Sequence, residues 1–216
     1  MTIRFQNMLS ELNNGMTDMG QLIETAISRC VDTLKSGDVQ AARALMRMDD
    51  QIDQKERDLE NLCLRLLLTQ HPVAKDMRFV SAALKMLTDF ERIGDQASDI
   101  AELIALAGDT IPAEFHLLFD RMADGVVCMV KNAVNAFIAM DMGIVQAVIA
   151  MDDEVDALFD EIKQQLTVHL RDNGDNTYVL DTLMIAKYFE RIGDHAVNVA
   201  EWVEYAITGV HKSDGK

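Results

Sequence analysis

Phe90-Glu91-Arg92-Ile93-Gly94-Asp95 is written a second time as Phe189-Glu190-Arg191-Ile192-Gly193-Asp194. The copies stay in step through Ala97/Ala196, Ile100/Val199, Ala101/Ala200 and Glu102/Glu201, which marks an internal duplication. Glu91, Asp95, Asp99 and Glu102 fall four, four and three residues apart, so a helix carrying them stacks oxygens along one face. The second copy presents Glu190, Asp194, Asn198 and Glu201. Like charges at this spacing cost a helix about 0.2–0.5 kcal/mol per pair. A row that recurs therefore asks for something to neutralise it, and a multivalent cation is the obvious candidate.

Around this block the chain is predominantly apolar and acidic. Among 216 residues there are 36 acidic and 20 basic ones, a formal charge of −16. That balance argues against nucleic acid and against docking on anionic lipid, and in favour of protein partners and cations. The opening Met1-Thr2-Ile3-Arg4-Phe5-Gln6 leads into no apolar signal core, and charges interrupt each apolar run before about 18 residues. The expectation is a soluble, cytoplasmic protein with no direct membrane insertion. Cys30, Cys63 and Cys128 are odd in number and far apart, which suggests reduced core thiols in place of disulfides or a zinc site.

Only two prolines occur, and apolar residues recur at three- and four-residue steps. The fold class is therefore all-α. Breakers at Ser36-Gly37-Asp38, His71-Pro72, Gly108 to Pro112, Asp141-Met142-Gly143 and Asp172 to Asn176 divide it into six helices, predicted over 5–35, 38–70, 74–107, 113–140, 143–171 and 176–208. The duplication reaches further than its best-preserved block, since Met48-Asp49-Asp50-Gln51-Ile52-Asp53 matches Met151-Asp152-Asp153-Glu154-Val155-Asp156. Two tandem three-helix bundles follow, 1–109 and 110–216, each with antiparallel neighbours. Either an internal pseudo-twofold or end-to-end stacking would relate them.

Each bundle then offers two acidic helices. Asp49 and Asp53 are an i, i+4 pair, continued by Glu56 and Glu60, and Asp152, Asp156 and Asp160 repeat the pattern. In antiparallel bundles Asp49/Asp53 can face Glu91/Asp95, and Asp152/Asp156 can face Glu190/Asp194. Four carboxylates per bundle would suit magnesium, calcium, manganese or hard iron. The plainer alternative is a solvated acidic face, or one in which Arg92 and Arg191 curl back onto neighbouring carboxylates. Gly94 and Gly193, mid-helix, suggest close helix packing more than a phosphate loop. His195 is a weak ligand candidate, replaced by Gln96 in the first copy, and His71, His116, His169 and His211 read as surface or terminal. No Glu-x-x-His step occurs, so the ligand set of a ferritin-like di-iron site is missing. Neither is there a Ser or Cys with a positioned base.

These blocks strongly resemble the PhoU family of bacterial phosphate-transport accessory and regulatory proteins. Ile185 through Trp202 reads like the family's C-terminal signature, and Pro72, Ala74, Asp76 and Arg78 resemble its Pro-x-Ala-x-Asp-Leu-Arg segment, with Met77 in place of Leu. Asp99 departs from the Asn more usual there. The resemblance implies two similar three-helix bundles with metal clusters on their surface, held here by Asp49, Asp53, Glu91, Asp95, Asp152, Asp156, Glu190 and Asp194. Iron, manganese or magnesium would be the ion. It also implies a non-enzymatic homodimer that represses the phosphate-starvation response by linking the ATPase subunit of a phosphate ABC transporter to a sensor histidine kinase. The alternative is a metal-dependent enzyme or iron-storing helical bundle.

Overall fold

The computed structural model describes residues 3–70, 73–107, 111–171 and 178–210. Six α-helices carry almost all of them: α1 (Ile3–Ser36), α2 (Val39–Gln70), α3 (Ala74–Ala107), α4 (His116–Ala139), α5 (Met142–Arg171) and α6 (Val179–Thr208). The expected spans hold to within a few residues. One difference is that Ala113–Phe115 form a separate 3-10 turn before α4. The expected breaks at His71-Pro72 and Asp172 to Asn176, and the division between residues 109 and 110, lie outside the described residues.

The duplication is visible in the turns. Asp38 caps α2 by accepting hydrogen bonds on Oδ1 from the amides of Gln40 (2.8 Å) and Ala41 (3.1 Å). Asp141 caps α5 in the same way, toward Gly143 (2.7 Å) and Ile144 (3.4 Å). The preceding residue is left-handed in both copies: Gly37 at φ 60° and Met140 at φ 51°.

α1–α3 form one bundle and α4–α6 the other. They lie side by side, with α3 against α6 and α1 against α4. Both contacts are antiparallel: Asp89 meets Asn198, while Asp99 meets Tyr188, and Gly20 faces Val134 while Lys35 pairs with Asp120. An internal pseudo-twofold, not end-to-end stacking, is thus the arrangement. Buried side chains run from one bundle into the other as one core, with Phe79 stacked on Phe137 at 4.4 Å across the join. α3 and α6 are central and bury several faces, whereas α2 and α5 are the outer helices. The grooves between α2 and α3, and between α5 and α6, therefore open on the outside of the molecule.

The segment Ala113–Ala139 is long and apolar enough to cross a membrane by length and composition. Its apolar stripe from Leu118 to Phe137 is spent on the core. Cys30 and Cys63 are buried as expected, but Cys128 is exposed. Its position on α4 faces outward, with the Asn132 amide 3.5 Å from its sulfur. An apolar sequence neighbourhood does not decide which side of a helix a residue takes.

Candidate functional site

The glycines of the repeated block set the distance between the acidic helices. A Cβ at Gly94 would stand 3.0 Å from Ile52 Cγ2 and 3.2 Å from Asp49 Oδ1. A Cβ at Gly193 would stand 2.9 Å from Asp152 Oδ1 and 3.5 Å from Val155. The expectation of close helix packing is met, and the close approach is what brings Asp49 and Asp152 against the third helix of each bundle. Their Oδ1 atoms are shielded from solvent and have no hydrogen-bond partner.

The carboxylates expected to converge do act on one another. Asp49 is pushed up to about 6, first by burial and then by the charges of Asp95, Asp53 and Glu91. Asp152 is likewise pushed up to about 6 by burial and by Asp156, Asp194 and Glu190. Burial and Asp95 raise Glu91, with Arg92 opposing. Burial and Glu190 raise Asp156, with Lys187 opposing. Glu56, read from the sequence only as a continuation of the stripe, is pushed up to about 7 by burial and by Glu60, Glu91 and Asp53. Each shift reports charges that would be more stable neutralised, by a proton or by a cation.

As they lie, among the described residues, no three His, Cys, Asp or Glu side chains are drawn together tightly enough to hold one ion. The all-oxygen donor set, the unpartnered Oδ1 in each cluster and the glycine beneath it nonetheless fit a hard cation that gathers its carboxylates on binding. Resident cations already touch both clusters. Arg57 pairs with Asp53 at 3.4 Å, and Arg92 with Asp95 at 3.1 Å and Glu91 at 3.5 Å. In the second bundle Lys187 pairs with Glu190, and Lys163 with Asp160.

The oxygen row read from the sequence persists in the first copy, where burial and then Asp95 and Glu102 raise Asp99, but it winds from the outer groove to the join between the bundles. Each four-residue step overshoots a helical turn by about 40°, so Asp99 and Asn198 have drifted off the outer grooves into the seam between α3 and α6. There Asp99 hydrogen-bonds Tyr188, with Arg191 close by. Asn198 donates to Asp89 at 3.3 Å, and His195 Nδ1 lies 2.9 Å from the same Oδ1. His195 is thus a seam residue. Asp89 and Tyr188, opposite members of this pair of contacts, were not singled out in the sequence; they occupy equivalent positions in the two copies, and that unlike pairing was the available signal. His116 has a shielded Nε2, whereas His169, at the surface near the end of α5, sits between Glu114 (2.6 Å) and Tyr178 (3.1 Å). His71 and His211 lie outside the described residues.

Fold and site together define a duplicated helical protein with two pseudo-symmetric carboxylate clusters. The PhoU domain model matches residues 16–104 and 119–203. The phosphate-specific transport system accessory protein PhoU homolog of Clostridium acetobutylicum is 32% identical over 95% of this chain and 94% of its own length. The Pseudomonas aeruginosa homolog is 31% identical over 95% and 86%. The crystal structure of PhoU from Pseudomonas aeruginosa superimposes with a TM-score of 0.88 at 29% identity, covering 95% of this chain and 100% of that one. The phosphate transport system regulatory protein PhoU from Streptococcus pneumoniae gives 0.88 at 25% identity over 95% and 98%. This chain belongs to the PhoU family.

Proposed function

We propose that this protein is a cytoplasmic, non-catalytic regulator of phosphate uptake and signalling, and that its two carboxylate clusters hold metal ions. The observation that carries the cation part is the repeated one: in each bundle a solvent-shielded, unpartnered Asp Oδ1 lies over a glycine, and the Asp is raised by burial and by the charges of carboxylates on the facing helix. Asp49, Asp53, Glu91 and Asp95 would hold one ion set, and Asp152, Asp156, Glu190 and Asp194 the other. Iron, manganese and magnesium suit such donors. Bound there, a cation neutralises like charges and ties the outer helix of each bundle to its central one.

Support for the regulatory part comes from the phosphate-transport role named for the relatives and from the chemistry of this chain. The Cys30 and Cys63 thiols are held protonated by burial, away from nucleophilic work. His195 is engaged with Asp89 in the seam. Signalling without turnover must come from differential binding to partners. The partners of this reading are the ATPase subunit of a phosphate ABC transporter and a sensor histidine kinase, with the protein acting as a homodimer that represses the starvation response in ample phosphate.

Deleting the gene should derepress phosphate-starvation genes in phosphate-rich medium, and both partners should be retained by the wild-type protein in pull-downs. Glu91→Lys with Asp95→Lys, confined to one bundle, should weaken one partner more than the other. Silent starvation genes together with no retained partner would remove the regulatory reading and bring a metal-dependent activity forward. Elemental analysis tests the cation part separately: Asp95→Asn with Asp194→Asn should strip bound metal while leaving the helical circular dichroism intact.

A further inference from the structure

The two clusters share a backbone frame but are filled differently. At the position of Thr88 in the first copy the second has Lys187, and at those of Glu56 and Glu60 it has Phe159 and Lys163. Thr88 brings no charge, its hydroxyl being turned back to the Leu84 carbonyl at 3.5 Å. Lys187 does the opposite: its ammonium pairs with Glu190 on its own helix and lies close enough to Asp156, on the facing helix, to oppose the upward shift there. The same ammonium is 5.4 Å from the centre of the Phe159 ring, and Lys163 flanks that ring at 5.2 Å. The cations of the first cluster sit otherwise. Among the described residues, the ion pairs of Arg57 and Arg92 run along their own helices at 3.1–3.5 Å, and at 53% and 54% exposure these side chains stand further into solvent than Lys187 at 41%.

From this asymmetry we infer that Lys187 is a resident counter-ion of the C-terminal cluster and makes the two clusters unequal cation sites, with the N-terminal one preferred. The inference rests on the cation reading above. In the N-terminal cluster a dication meets Asp49, Asp53, Glu91 and Asp95 with Glu56 and Glu60 as further carboxylates, and the guanidiniums of Arg57 and Arg92, which pair there from the solvent side, can turn away from it. In the C-terminal cluster it must displace an ammonium or share the carboxylates with it. One positive charge about 5–6 Å from a dication weakens binding by about tenfold even when screened as in bulk water, and calcium sites show the same sensitivity to ligand charge.

Manganese(II) binding to the whole protein, followed by the electron paramagnetic resonance of the free ion, tests this. The wild type should show a tighter and a weaker class of site. Asp49→Asn with Asp53→Asn should remove the tighter class, and Asp152→Asn with Asp156→Asn the weaker. Lys187→Met, which keeps the apolar stem on Phe159, should tighten the weaker class about tenfold, and Thr88→Lys should loosen the tighter class to a similar degree. Circular dichroism checks that each variant is folded. Two equal classes in the wild type, or classes unmoved by both Lys187→Met and Thr88→Lys, overturn the inference while leaving the cation reading in place. No manganese bound by the wild type or by Lys187→Met overturns the cation reading itself.

Discussion

The N-terminal and C-terminal clusters are the same construction carried out with different side chains. Both have a glycine that lets the outer helix approach the central one, and both bury one unpartnered carboxylate oxygen at that point. Around it they diverge. The N-terminal groove continues into Glu56 and Glu60, whose mutual repulsion helps to raise Glu56 to about 7. The C-terminal groove continues into an aromatic ring flanked by two ammonium groups. The Arg of the repeated block divides the same way: Arg92 turns to Glu91 and Asp95, while Arg191 lies by Asp99 and Tyr188 in the seam. Duplication preserved the frame that brings charge together, and later substitution decided how much of that charge the protein neutralises itself.

The largest expected difference between the copies lies at the glycines. In Gly94→Ala the new methyl meets Ile52 at 3.0 and 3.1 Å, and Ile52 is a buried core side chain. Overpacking of this kind costs about 1–3 kcal/mol, against up to about 1 kcal/mol gained in helix propensity. Gly193→Ala meets only the end of the Asp152 side chain at close range, and that carboxylate can swing toward solvent. Thermal unfolding should therefore show Gly94→Ala clearly destabilised and Gly193→Ala close to the wild type. Equal losses would mean that the two grooves are packed alike after all.

A smaller effect is expected at the turns that precede the outer helices. Gly37 takes its left-handed conformation freely, whereas Met140 takes the equivalent one at a cost of about 1–2 kcal/mol. Met140→Gly should stabilise the protein by up to about 1 kcal/mol, less what its partly buried side chain contributes. Gly37→Met should destabilise it. Chemical denaturation midpoints measure both, and an unchanged Met140→Gly would show that local contacts already repay the strain.

The smallest effect is the dependence on pH, because the groups concerned are only partly buried and solvent screens them. Asp49 and Asp152 are raised from 3.8 to about 6, and Glu56 from 4.5 to about 7. The folded state keeps these protons longer than the unfolded chain does, so their contribution is full below pH about 4 and is lost as pH rises to about 7. Melting temperatures of the metal-free protein should fall across that window. Glu56→Gln should flatten its upper part, since the C-terminal copy has Phe159 there and nothing to titrate. Added manganese should stabilise more at the top of the window than at the bottom, because it competes with protons for the same oxygens. A melting temperature insensitive to pH over this range would separate the raised carboxylates from stability.

Much of this protein is legible in its residues. Three- and four-residue apolar spacing, five breaks' worth of turn residues and two matching blocks are enough for six helices in two tandem bundles. The acid pairs Asp49/Asp53 and Glu91/Asp95, and their counterparts, follow from spacing and antiparallel connection. Asp99 keeps its place in the row, raised by burial, Asp95 and Glu102, but the drift of an α-helix also turns it and Asn198 toward neighbours in the other bundle that spacing does not reveal. Cys128 faces outward for a related reason: packing partners, not the apolar composition of its stretch, decide which side of a helix is covered.

Helical periodicity is a local property, written in residues three and four apart, and so the sequence by itself determined the helices, their duplication and the acidic composition of two faces in each bundle. Which faces meet is decided by packing between segments far apart in the chain. Only the tertiary structure laid the bundles side by side about a pseudo-twofold, buried one oxygen of Asp49 and of Asp152 without a partner, and set Lys187 among the carboxylates of one cluster alone.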